Sequence, residues 1–191
     1  MANEEKTPEE QVMQDLKEDL GRVNMWIGNC DQKASFLLAL VGIVLTIVCT
    51  SDAINVIKTI LIKPFVNYWR EGIGTFCPLR TVIAVLLIAG FVCVFISIIR
   101  LLLCLRAKTD DDSMKKTGME EKSLLYFGSI AKMTYSVFCG TENDRLNDLR
   151  TQVYINSVIC AKKFENYKKA LRFILWALPL LVLGSLIMLF V

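Results

Sequence analysis

Polar and apolar positions fall in long blocks along this chain, and the blocking predicts three crossings of a membrane. Ala34–Ser51, Thr81–Ile99 and Phe173–Val191 contain no charged residue. Each is close to the roughly 20 residues that a helix needs to span the hydrocarbon core of a bilayer. The blocks divide the chain into an N-terminal amphipathic helix (1–33), a first transmembrane helix (34–51), a loop with an interfacial helix (52–80), a second transmembrane helix (81–105), a polar helical segment (106–172) and a third transmembrane helix (173–191). The expected fold is an all-α integral membrane protein, with a helical bundle formed by extensions of its spans.

Within the polar blocks the helix signals are local. Thr7 suits an N-cap, Pro8 the first helical position and Glu10 the reciprocal carboxylate of a capping box. Val12, Leu16, Leu20, Val23 and Ile27 then form one apolar stripe, which predicts nearly continuous helix from Pro8 to Cys49. Ile54–Pro64, with Tyr68 and Trp69 after it, reads as a short helix lying on the membrane surface. Gly72, Gly74 and Pro78 break the chain before the second span, near whose end Arg100 snorkels. Residues 123–138 read as an amphipathic helix stopped by Gly140. Thr141 and Asp144 signal a further start, and Leu149, Val153, Cys160, Phe164, Tyr167 and Leu171 carry helical spacing into the third span, with Pro179 as a place for a kink.

Composition supports the class: 54% of the 191 residues are hydrophobic, more than a soluble domain of this size needs. The first apolar block comes after an acid-rich arm rather than a short basic start, so a retained span is expected rather than a cleaved signal peptide. Basic residues set the orientation. Residues 106–172 hold 13 of the 22 lysines and arginines against four in 52–80, which predicts a cytoplasmic N-terminus and an extracytoplasmic C-terminus. The seven cysteines show neither metal-ligand nor disulfide spacing and read as small apolar residues or free thiols.

The chemistry that remains argues against catalysis. Histidine is absent, and no Walker loop, nucleophile elbow or zinc spacing occurs. The expectation is therefore no enzyme, no cofactor, no metal and no DNA or RNA partner. No charge lies mid-span, which leaves an ion-coupled transporter little to work with. One cluster stands out: Lys162, Lys163, Lys168 and Lys169, with Arg172 just beyond. It admits two readings, an anchor touching anionic lipid, or a site in which some of these lysines join Arg106, Gln152 and Asn156 to hold a phosphate-bearing signal.

Three strings narrow the choice. Asp31-Gln-Lys33-Ala-Ser35 runs into the first span, Leu124-Leu-Tyr126-Phe127-Gly128 comes after the second, and Cys160–Leu171 precedes the third. In order and spacing they resemble the transmembrane effectors of bacterial Pycsar antiphage systems, with Asp31, Lys33, Tyr126, Phe127, Gly128, Lys163 and Tyr167 at the motif positions. The resemblance implies an effector of abortive infection in the bacterial inner membrane, a homo-oligomer partnered by the lipid bilayer. It also implies a cyclic nucleotide ligand, a cyclic pyrimidine, made by a partner cyclase. The alternative is a non-enzymatic scaffold or accessory subunit that anchors a cytosolic partner through the N-terminal stripe.

Overall fold

The computed structural model describes residues 7–50, 58–59, 63–71, 78–106, 123–140 and 145–188. Among these residues lie six α-helices, in order α1 Pro8–Thr50, α2 Lys63–Glu71, α3 Pro78–Leu105, α4 Phe127–Ile130, α5 Tyr135–Gly140 and α6 Arg145–Met188. Three of these, α1, α3 and α6, are long and apolar enough to cross a membrane. The protein is thus an all-α membrane protein, as its hydropathy predicts.

Local sequence explains where α1 begins. The Thr7 N–H donates to the Glu10 carboxylate at 2.9 Å, and the Glu10 N–H donates back to Thr7 Oγ1 at 3.4 Å. That exchange satisfies two backbone donors at the helix start. The surface helix expected around Ile54–Pro64 falls mostly outside the described residues, and the helix observed there is the later α2, which carries Tyr68 and Trp69. The start at Thr141 and Asp144 also lies outside them, and α6 is described from Arg145.

The chain divides into two compact units. Unit one combines Met1–Asp31 with Arg106–Phe164, and unit two combines Gln32–Leu105 with Glu165–Val191. The helices α1 and α6 each contribute to both.

In unit two, α3 and α6 pack antiparallel along a seam of small residues. On α3, Ile83, Gly90, Ser97 and Cys104 recur every seventh position and are buried, as are Leu87 and Leu101. On α6 the matching series is Ala170, Ala177 and Gly184. A Cβ on Gly90 would lie 2.6 Å from Leu181 Cδ2, and one on Gly184 would lie 2.9 Å from Leu87 Cδ2. The helices therefore approach more closely than larger residues allow, the arrangement that dispersion favours where lipid supplies no hydrophobic drive. Two hydrogen bonds fix the register: Ser97 Oγ to the Ala170 carbonyl at 3.1 Å, and an Arg100 guanidinium N–H to Asn166 Oδ1 at 3.5 Å. Arg100 reaches a neighbouring helix. Asn166 and Ala170, in a stretch polar by hydropathy, thereby meet α3.

In unit one the expected helix over 123–138 is broken, a correction with a visible cause. The Ser123 hydroxyl accepts the N–H groups of Leu125 and Tyr126, at 3.1 and 3.2 Å, so these residues form a turn. A serine near its own backbone competes with helical bonding in this way. Only α4 and α5 form in this segment, separated by a turn, and the described residues of α5 run to Gly140, the expected stop.

Candidate functional site

The first polar group of unit one lies between the 123–140 segment and α6. Leu124 N–H donates to Asp148 Oδ2 at 3.0 Å, and Gln152 Nε2 donates to Ser123 Oγ at 3.0 Å. Asp148 and Gln152 stand one turn apart on α6, so one helix face holds the segment. Ser123, Asp148 and Gln152 are all buried. A few residues on, the Tyr126 ring covers Gly128 so closely that a Cβ there would lie 2.6 Å from Tyr126 Cε1. The glycine makes room for the ring.

A second group joins α1 to α6. Asn156 Nδ2 donates to Asn24 Oδ1 at 3.0 Å, and Lys163 Nζ donates to Asp31 Oδ1 at 2.6 Å. Both pairs span 132 residues, and both helices advance seven positions between them. The two helices thus run parallel and in step, as in a heptad-paired coil. Beside the ion pair the Trp26 and Phe164 rings meet edge to face, with centroids 6.2 Å apart.

Burial makes the Lys163–Asp31 pair consequential. Lys163 is only 5% exposed, whereas the Asp31 side chain is 36% exposed. A buried ammonium needs an anion and hydrogen-bond acceptors around it. Cys30, fully buried, and the half-buried Cys160 sit nearby. Burial pushes the Cys160 thiol above its ordinary pKa, Cys30 adds to the rise, and Lys163 partly offsets it. At neutral pH Cys160 is a protonated thiol.

The structure therefore separates the residues that the sequence groups. Gln152, Asn156 and Lys163 face unit-one partners, while Arg106 and Lys162 are exposed. Lys168 and Lys169 belong to unit two, the first exposed and the second bound to Glu165 at 2.6 Å. Of the motif positions, Asp31 and Lys163 meet each other and Tyr126 meets Gly128. Lys33 is exposed and Tyr167 half-buried in unit two, and Phe127 opens α4. Sequence reasoning missed Asn24, Ser123 and Asp148. One signal was available: Asn24 and Asp31 stand seven apart, as do Asn156 and Lys163. Among the described residues no group of histidine, cysteine or acidic side chains is disposed to hold a metal.

Comparison with known proteins matches residues 15–190 to a family described as the Pycsar effector protein domain. A relative from Gulbenkiania mobilis, described as Pycsar effector protein GmPycTM, is 27% identical over 180 residues, covering 92% of each chain. No solved structure matches.

Proposed function

Since this chain belongs to the Pycsar effector family, and is therefore a membrane effector of antiphage defence, we propose that a cyclic nucleotide switches it by competing for Lys163. In the resting state Asp31 supplies the anion that Lys163 requires. A cyclic pyrimidine phosphate takes the place of that carboxylate, with Gln152 and Asn156 freed to read the base and Lys162 and Arg106 adding charge. Binding favours an arrangement of α1 and α6 in which Asp31 and Lys163 are apart, and the population moves to it. Both helices continue into apolar stretches, so a change of their register reaches the bilayer. Copies of the chain assemble, the inner membrane loses integrity, and the infected cell dies without catalysis by this chain. In this reading the N-terminus is cytoplasmic and the C-terminus extracytoplasmic.

The observation that supports this reading is a nearly buried lysine paired with a partly exposed carboxylate across two helices that both lead into spans. Of the stripe on which a scaffold would rely, Val12 is exposed and Leu16, Leu20, Val23 and Ile27 are half-buried within unit one.

A direct test expresses the chain in bacteria and tracks membrane potential with a dye, with and without added cyclic pyrimidine nucleotide. Depolarisation only with the nucleotide is expected, together with its loss in Lys163→Gln. Unchanged potential at every nucleotide concentration overturns the proposal.

A further inference from the structure

We infer that unit two carries a binding site for an acidic phospholipid headgroup at the N-terminal end of the α6 span, with Lys168 and Arg172 as its cations. The inward side of α6 is fixed here by Ala170, which is fully buried and accepts the Ser97 hydrogen bond. At about 100° per residue, Lys168 and Arg172 fall on the opposite side, one turn from each other. Both are exposed, and no described residue pairs with either. Their basic neighbours are already engaged: Lys169 with Glu165, and Arg100 with Asn166.

The apolar residues farther along the same side of α6 select the ligand. Leu175 is 65% exposed and Trp176 63%, and beyond them Val182 and Leu186 also face outward. In a membrane-spanning helix these side chains meet acyl chains. A headgroup lying against Lys168 and Arg172 would therefore have its own tails beside Leu175 and Trp176. The guanidinium offers a planar fork for two phosphate oxygens and the ammonium a point charge one turn away. A free phosphate would satisfy only the cations, whereas a lipid satisfies the cations and the apolar stripe together. The same order recurs on α1, where exposed Lys33 precedes exposed Phe36, Leu40, Ile43 and Ile47 at spacings of three and four. Two helices of one unit thus present a cation at the head of a lipid-facing stripe.

The site is separate from Lys163, so its test is independent of the nucleotide reading. The purified full chain is placed in phosphatidylcholine bilayers, and electron paramagnetic resonance measures how strongly it restrains spin-labelled phosphatidylglycerol relative to spin-labelled phosphatidylcholine. A preference of at least about fivefold for phosphatidylglycerol is expected, the factor that one cation near an anionic surface supplies. In Lys168→Gln/Arg172→Gln it should fall by at least about twofold, the remainder being what Lys33 supplies, with helix content by circular dichroism unchanged. The charge-preserving Lys168→Arg/Arg172→Lys should keep it, as should Lys17→Gln. No preference in the unaltered chain, or an unchanged one in the double glutamine variant, overturns the inference. Abolition of the preference by millimolar inorganic phosphate also overturns it, because the ligand is then a free anion.

Discussion

The two units pair long helices by different means, and α6 takes part in both. Along α6 every seventh residue from Leu149 faces inward or is half-buried: Leu149, Asn156, Lys163, Ala170, Ala177 and Gly184. In unit one Asn156 and Lys163 of this series are polar and find named partners on α1. In unit two the series shrinks to alanine and glycine against α3. The solvent accounts for the change. In water, apolar burial drives association without direction, and a few buried polar pairs specify register at some cost in stability. Lipid gives no such drive, so close contact between small residues takes over. The polar seam is the one on which the proposed switch acts.

Breaking the polar seam should have the largest effect. Asp31→Ala removes the carboxylate that the buried Lys163 meets and should cost about 3 kcal/mol, the low end for a buried pair, because Asp31 is partly exposed. Thermal unfolding in detergent should register this loss. The exchanged variant Asp31→Lys/Lys163→Asp should recover a large part of it, whereas recovery of none would show that the pair does not set the register. The small-residue seam should be the next most sensitive. Gly90→Leu overfills the contact with Leu181 and should cost about 1–3 kcal/mol. Gly42→Ala, where an added Cβ meets nothing within 4 Å, should stabilise by about 0.5–1 kcal/mol. Equal melting shifts for the two glycines would dissolve the contrast between packed and open positions.

Smaller effects sharpen the comparison. Ser97→Ala removes one hydrogen bond within the spans and should cost about 0.6 kcal/mol, measured by the same melting assay. Cys160 should alkylate slowly at neutral pH, and more slowly still in Lys163→Gln, because burial raises its pKa and Lys163 opposes the rise. A thiol whose folded pKa is raised adds stability below its unfolded pKa, and that stability is lost as the pH rises through the folded value. Faster alkylation in Lys163→Gln would separate the lysine from the thiol.

Much of the architecture was legible residue by residue. Thr7, Pro8 and Glu10 announce α1, and three charge-free blocks announce the spans. The inward faces were not legible in the same way. A stripe from Val12 was expected, yet Val12 is exposed and Met13 takes the inward place. On α6 the apolar pattern points to Val153, Phe164 and Leu171; Phe164 does meet Trp26 of α1, but Asn156, Lys163 and Ala170, which also meet other helices, lie outside that pattern. Large apolar residues are poor guides near a bilayer, where lipid accepts them as readily as protein does. The break at Ser123 was hidden as well, because it depends on a hydroxyl shared with Gln152, 29 residues away.

The three long helices, the spans they carry and the family were legible from the linear pattern alone. A backbone in lipid must satisfy its own hydrogen bonds, so an apolar block of sufficient length has little choice but to become a helix. Which lysine of the basic cluster is buried, which are exposed and which carboxylate meets the buried one emerge only when the helices pack. Those outcomes depend on the register between residues 132 apart. Register is a property of two helices together, and neither helix encodes it alone.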